Sequence, residues 1–225
     1  MSTDYEKELA ARASLAFVKD GDVVGLGTGS TASIAIQLLG ERVREGLRIL
    51  GIPTSQRSKQ LAESVGISLT TLDEVQQIDV DIDGADEVDL QLRLIKGGGG
   101  ALLREKVVAS AAEQFVVVAD SSKQVPVLGG FPLPVEVIPF AQALVIRGIQ
   151  AMGATVNLRR YPYGNPFVTD EGHHILDCDF GAIHDPESLA RTLNEMPGIV
   201  EHGLFIDMAT IVLIGKGYEV VELRR

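Results

Sequence analysis

The spacing of apolar residues switches repeatedly between a helical and an extended period. Leu9, Ala13, Ala16 and Phe17 recur at helical spacing and predict a helix over residues 5–20. Residues 22–27 then form a short apolar run with glycine, as in a buried strand. The run passes through Thr28, Gly29, Ser30 and Thr31 into an apolar helix over residues 32–43. Residues 47–51 read as a second strand, and residues 56–65 as a helix stopped by Gly66. Ile78-Asp79-Val80-Asp81-Ile82-Asp83 alternates strictly, which predicts a strand with apolar residues on one face and aspartates on the other. An apolar segment at 92–95, a helix over 101–112 and a buried strand over 115–119 follow. Strands alternating with helices predict an α/β fold built on a doubly wound, mostly parallel, Rossmann-like sheet.

The pattern changes after Pro126, where Pro132, Pro134 and Pro139 interrupt any helix and mark a boundary. Beyond it come a strand (133–137), a helix (140–152), a strand (154–159), a strand pair (167–179), a helix (187–196) and a strand (199–205). Asp185 is placed to cap the second of these helices, with Pro186 at its first position. This order is close to β-α-β-β-α-β and predicts a second, smaller, ferredoxin-like α+β domain. Strands near 210–214 and 218–223 are expected to return to the first domain. The expected division is therefore 1–130 plus 206–225 for the larger domain and 131–205 for the smaller.

Three turns carry candidate chemistry. Four successive glycines, Gly97 to Gly100, follow Lys96 and lead into a strong helix start that contains Glu105. Such a run cannot pack a core, and it lets the backbone approach another group closely. A glycine turn feeding a helix presents N–H donors and partial positive charge, which suits an anion or a developing oxyanion. A flexible hinge is the plainer alternative. Thr28, Gly29, Ser30 and Thr31 form a second strand–turn–helix junction suited to phosphate or sugar hydroxyls, although capping by Ser30 or Thr31 alone would also explain it. The junction lacks the lysine of a Walker loop and the third glycine of a dinucleotide fingerprint. Asp83-Gly84-Ala85-Asp86-Glu87 gathers acids at the C-terminal end of a strand, where open α/β sheets place ligands, and Lys123 follows another strand end. Asp83, Asp86 and Glu87 could in principle hold a divalent cation, but their spacing is not that of an EF-hand. The four histidines are isolated or lie in turns, and we read them as structural or exposed. Carboxylates, two lysines and two N–H-rich turns, with no cofactor fingerprint, are what proton transfer on a phosphorylated polyol needs.

Composition narrows this picture. A net charge of −11 argues against nucleic acid and anionic membrane as partners, though not against a small phosphorylated molecule held by local cations. No apolar run reaches a membrane span. The acidic, polar start from Met1 to Glu6 is no signal peptide, and Cys178, the single cysteine, has no internal partner. A reducing, cytoplasmic setting is expected.

Gly25-Leu26-Gly27-Thr28-Gly29-Ser30-Thr31-Ala32, Asp83-Gly84-Ala85-Asp86-Glu87, the run from Lys96 through Gly97-Gly98-Gly99-Gly100 to Lys106, and Asp120-Ser121-Ser122-Lys123 stand in the order found in type A ribose-5-phosphate isomerases. Phe131-Pro132-Leu133-Pro134-Val135-Glu136-Val137-Ile138-Pro139 and Gly203-Leu204-Phe205 resemble that family too, so the likeness spans nearly the whole chain. The resemblance implies interconversion of D-ribose 5-phosphate and D-ribulose 5-phosphate in the pentose phosphate pathway, with no cofactor and no metal. It implies a homodimer or tetramer, with the smaller domain in the subunit contacts. It implies that Glu105 moves the proton between C2 and C1, that Asp83 assists ring opening, and that Lys96 with Gly97, Gly98 and Gly99 steadies the anionic intermediate. Thr28, Gly29, Ser30, Thr31, Gly84, Ala85, Asp86 and Lys123 are implied to bind substrate. Two stretches depart from the family pattern: Glu171-Gly172-His173-His174, where Asn-Gly-Asn is expected, and Ile206-Asp207-Met208-Ala209, where Arg-Ala-Asp is usual. An amino-sugar-phosphate isomerase/deaminase and a sugar-phosphate sensor remain as alternatives, although no helix pair for DNA binding is evident.

Overall fold

A computed structural model describes residues 2–225. In chain order the elements are α1 (Thr3–Ser14), β1 (Val23–Leu26), α2 (Ser30–Arg44), β2 (Leu50–Pro53), α3 (Gln56–Ser64), β3 (Ser68–Leu69), β4 (Ile78–Gly84), β5 (Glu87–Val88), β6 (Leu94–Ile95), α4 (Leu102–Ala111) and β7 (Ala112–Asp120). There follow β8 (Leu133–Val137), α5 (Gln142–Ala151), β9 (Thr155–Leu158), β10 (His174–Asp179), α6 (Pro186–Asn194), β11 (Ile199–His202), β12 (Leu204–Phe205), β13 (Ile211–Lys216) and β14 (Glu219–Arg224). Two compact units result: residues 1–85, 104–124 and 207–225 form the first, and residues 86–103 and 125–206 the second.

The first unit is built on a seven-stranded sheet of order β14-β13-β7-β4-β1-β2-β3, parallel throughout except for the β13–β14 pair. One core joins Val24, Leu26, Val80, Ile82, Val116 and Val118 of the sheet with Ala10, Ala11, Ala35, Ile36 and Leu39 of α1 and α2. Burial of this apolar surface, worth roughly 25 cal/mol per Å², is the main force holding helices to sheet. Local signals set the helix ends. The Ser2 side chain accepts the Tyr5 N–H at the start of α1, the Ser55 side chain accepts the Ser58 N–H at the start of α3, and Gly66 takes φ +86° just beyond α3. Helix α1 stops at Ser14 and passes into a short 3-10 turn, so the helical pattern expected to reach residue 20 breaks earlier.

The aspartate face of the central strand is buried. The alternation in β4 predicts one polar face, yet Asp81 and Asp83 are both 0 % exposed. β4 lies between β1 and β7, and Val108 of α4 covers the side that carries Asp81. A parallel sheet is covered on both faces, so a polar residue there marks a special site rather than a solvated one.

The second unit holds an antiparallel four-stranded sheet of order β11-β8-β10-β9. With α5 between β8 and β9 and α6 between β10 and β11, this is the β-α-β-β-α-β arrangement read from the sequence. Leu133, Val135, Val137, Leu176 and Cys178 pack against Val145, Ile149, Ala190 and Leu193. The Asp185 side chain caps α6 by accepting the Ser188 N–H, with Pro186 at the first position, as expected. The strand pair expected at 167–179 is shorter: β10 starts at His174, and the segment before it forms the isolated bridges Arg160–Pro166 and Val168–His174. A small sheet of order β12-β6-β5 completes the unit and carries the entry to the glycine run. Among the described residues no helix is long and apolar enough to cross a membrane.

Candidate functional site

In the first unit the loops after β1, β4 and β7 carry the sequence-predicted residues. Gly29, at φ +120°, occupies the N-cap position of α2 and supplies no side-chain cap. Neither Ser30 nor Thr31 caps this helix, because both lie inside it. The first turn of this 15-residue helix contains no acidic residue, so its positive end is suited to an anion. Ser30 is exposed and Thr31 is buried. Thr28 is used internally. Its N–H donates to Asp83 Oδ1 at 3.0 Å, and its hydroxyl meets those of Thr54, Ser55 and Ser58 at 2.8, 2.8 and 3.1 Å.

Asp83 is held from several sides. Its Oδ1 also accepts the Gly84 N–H at 2.7 Å, which fixes one carboxylate oxygen at the end of β4. The space for the carboxylate comes from Gly27, where an added Cβ would lie 2.2 Å from Oδ1. Gly25 does the same for Asp81, where an added Cβ would lie 2.4 Å from Oδ1. Two glycines read from the sequence as part of a buried apolar run therefore also make room for buried carboxylates on the neighbouring strand. The signal was present as glycines two apart at the end of one strand and aspartates two apart in another, but their pairing is a tertiary fact.

Glu105 stands in the first turn of α4 and is 2 % exposed. A carboxylate in that position gains from the positive end of the helix dipole. Lys123 ends a 3-10 turn, Ser121–Lys123, directly after β7. Asp120 caps this turn by accepting the Ser122 N–H at 3.0 Å. Glu6 of α1 clamps it, accepting the Ser121 N–H at 3.1 Å, the Ser121 hydroxyl at 2.6 Å and the Gly217 N–H at 2.8 Å. These hydrogen bonds, the Ser121 hydroxyl foremost, hold the Glu6 carboxyl below the usual carboxylate range. Glu6 was not anticipated, since nothing in a helical acid near the N-terminus points to a loop more than a hundred residues away.

In the second unit the glycine run is a defined turn. Lys96 is 2 % exposed, its N–H donates to Gly203 O at 2.9 Å, and its ammonium lies 5.3 Å from the Phe205 ring centroid. Gly97 and Gly100 take φ +103° and +83°, a region closed to most residues, and the Gly100 N–H donates to Gly97 O at 3.0 Å. Gly98 and Gly99 are exposed, and the Gly98 N–H donates to Asp86 Oδ2 at 2.7 Å. Asp86 thus shapes the turn. Glu87 is committed elsewhere, accepting the N–H groups of Gly129 and Phe131 at 2.7 and 2.6 Å. Among the described residues no group of three or more His, Cys, Asp and Glu is arranged to hold a metal ion. Three histidines have structural neighbours: His173 Nδ1 lies 3.0 Å from Glu136 Oε1, His174 Nδ1 lies 2.7 Å from Gln142 Oε1, and His202 Nδ1 accepts the Leu204 N–H at 3.2 Å.

Residues 50–219 match the family model described as ribose 5-phosphate isomerase A (phosphoriboisomerase A). The ribose-5-phosphate isomerase A of Parvibaculum lavamentivorans is 51% identical over 99% of this chain and 100% of its own. The chain belongs to the ribose 5-phosphate isomerase A family. Another member, from Ruegeria sp., is 53% identical over 98% of this chain and 87% of its own. Solved ribose 5-phosphate isomerases superpose closely. One in complex with phospho-erythronic acid gives a TM-score of 0.97 at 42% identity, covering 100% of both chains. That of Methanocaldococcus jannaschii gives 0.95 at 44% identity, again over 100% of both. Ribose 5-phosphate isomerase A proteins are enzymes.

Proposed function

We propose that the protein interconverts D-ribose 5-phosphate and D-ribulose 5-phosphate by shuttling one proton between C2 and C1 through a cis-enediolate. Full-length membership in the ribose 5-phosphate isomerase A family is the observation that carries this reading. Glu105 takes the C2 proton of the open-chain aldose, the electron pair forms the C1–C2 double bond, and the aldehyde oxygen becomes an enediolate oxygen. Transfer of the O2 proton to O1 and delivery of the Glu105 proton to C1 complete the ketose. Lys96 and the N–H groups of Gly97 and Gly99 stabilise the oxyanion, while the Gly98 N–H, held on Asp86, fixes the turn between them; donors of this kind typically contribute several kcal/mol. Asp83 exchanges a proton with the ring oxygens to open the sugar. The start of α2 with Gly29, Ser30 and Thr31, together with Thr28, Gly84, Ala85, Asp86 and Lys123, binds the phosphate and hydroxyl groups. Support for these roles comes from the burial of Glu105 and Lys96 and the rigid seating of Asp83. Phospho-erythronic acid, bound by one solved relative, carries a phosphate and a carboxylate, the two anionic features this site would need to accept.

We further propose that the reaction needs no divalent metal, that the protein works in the cytoplasm within the pentose phosphate pathway, and that it is a homodimer or tetramer joined through the smaller unit. A coupled assay for ribulose 5-phosphate formed from ribose 5-phosphate, run with EDTA, tests the activity. Turnover that survives chelation is expected. No turnover would overturn the isomerase reading, and loss restored by one divalent ion would overturn metal independence. Ammonia released from glucosamine 6-phosphate would favour the amino-sugar alternative.

A further inference from the structure

The glycine run is braced by a residue that the sequence reading did not single out. Arg159 follows β9, and its backbone N–H extends the ladder by donating to Ile175 O at 2.8 Å. Its side chain is 14% exposed. Nη1 donates to Gly97 O at 2.8 Å and to Gly98 O at 3.2 Å. The opposite edge of the guanidinium is held in a fork by Asp177 of β10, with Nε donating to Oδ2 at 3.0 Å and Nη2 donating to Oδ1. Phe167 closes the brace. Its ring centroid lies 5.9 Å from the guanidinium carbon, and a Cβ added at Gly100 would fall 2.4 Å from its Cζ.

We infer that Arg159, oriented by Asp177, is a positioning residue that aims the N–H groups of the glycine run. This rests on the reading of that run as the oxyanion donor. Glycine has the widest conformational freedom of any residue, so four in a row would sample many peptide orientations unless something chose one. In a trans peptide the C=O and the following N–H point in opposite directions. Fixing Gly97 O on Arg159 therefore turns the Gly98 N–H away from the guanidinium, where it meets Asp86 at 2.7 Å. Fixing Gly98 O likewise turns the Gly99 N–H away, towards the exposed side of the turn. A cation on both carbonyls also polarises the two peptides and makes their N–H groups better donors. A lysine would not substitute. It is a point charge and cannot hold two carbonyls and a carboxylate in one plane.

The test uses Arg159→Met, Arg159→Lys and Asp177→Asn in the full chain. Three quantities are measured: kcat and KM for ribose 5-phosphate, inhibition by phospho-erythronic acid, and amide hydrogen exchange at Gly98 in the unliganded protein. Loss of one oxyanion donor typically costs about 100- to 1,000-fold in kcat. Here the donors stay but lose their aim, so Arg159→Met is expected to lower kcat about 10- to 100-fold while KM changes less than about threefold. Inhibition should weaken in proportion to kcat/KM, because both depend on anion binding at the turn. Exchange at Gly98, whose N–H donates to Asp86, should quicken at least about tenfold, since the brace suppresses local opening. Arg159→Lys should resemble Arg159→Met, and Asp177→Asn should show a smaller loss of the same kind. A folded Arg159→Met or Arg159→Lys protein with wild-type kcat overturns the inference, as does a loss confined to KM or unchanged glycine exchange. If Arg159→Met does not fold, Arg159→Lys and Asp177→Asn decide by the same measurements. Should the wild type fail to turn over ribose 5-phosphate, the isomerase reading falls, and the exchange data still decide whether Arg159 orders the turn.

Discussion

Gly27→Ala should damage the site by displacing Asp83, and Gly25→Ala provides a matched control. An added Cβ at Gly27 would lie 2.2 Å from Asp83 Oδ1, 2.4 Å from its Cγ and 2.5 Å from its Cα. Ordinary contact begins near 3.4 Å, so the carboxylate must move by roughly 1 Å. Rotating the side chain cannot relieve the clash with Cα, so β1 and β4 must also part. Overpacking of this kind costs about 1–3 kcal/mol. Movement of Oδ1 weakens its hydrogen bonds from the Thr28 and Gly84 N–H groups, each charge-assisted and worth about 1.5–3 kcal/mol at full strength. Partial loss of these bonds on top of the strain makes a total of about 2–4 kcal/mol reasonable, which leaves a domain of ordinary stability folded. A misplacement of about 1 Å at a reacting group costs on the order of a hundredfold in rate. Gly25→Ala brings a Cβ to 2.4 Å from Asp81 Oδ1 and 2.7 Å from Val108 Cγ1, so its destabilisation should be similar. No catalytic role is assigned to Asp81, so kcat/KM should fall less than about tenfold. Urea unfolding measures the stability term, and the coupled ribulose 5-phosphate assay measures the catalytic one. Equal loss of activity in both variants would refute a specific effect through Asp83, and full activity in Gly27→Ala would refute the need for its carboxylate at this position.

Glu105→Gln keeps size and most hydrogen bonding but cannot accept a proton, so kcat should fall at least about a hundredfold with substrate binding retained; near-normal turnover by the folded variant would move the base elsewhere. Lys123→Ala should lower kcat/KM about 10- to 100-fold, mainly through KM, and an unchanged KM would remove Lys123 from substrate binding. Glu136 is 1% exposed, and burial pushes its carboxyl above the ordinary carboxylate value despite hydrogen bonds from Thr169 and His173. The folded state then holds a proton that the unfolded state has released, so stability is full below the ordinary value and declines as pH rises towards the raised one. Glu136→Gln should flatten that decline, read from urea unfolding at a series of pH values across this window, and parallel pH profiles in both proteins would contradict it.

Much of this protein follows from local rules that a sequence carries by itself. Apolar runs and helical periods placed most strands and helices, because burial imposes those periods wherever an element packs. Gly66, Asp185 and Pro186 marked helix ends through conformations and bonds set within a few residues. The glycine run after Lys96 and the acids at the end of β4 stood out as a candidate site, since four glycines in a row supply no side chain to a core. Boundaries such as the start of β2, expected at 47 and found at Leu50, shifted because pairing with a neighbouring strand decides where an extended segment begins. What the sequence could not contain was adjacency. Alternation in β4 put the aspartates on one face but not what covers it; coverage of both sides of the sheet buried Asp81 and Asp83 and gave Gly25 and Gly27 their second purpose. Glu6 reaches the Ser121 turn, and Arg159 reaches Gly97 and Gly98, across 115, 62 and 61 residues of chain. Such contacts depend on which strands become neighbours. That choice is made by the packing of whole layers, and no residue type or spacing within a single segment records it.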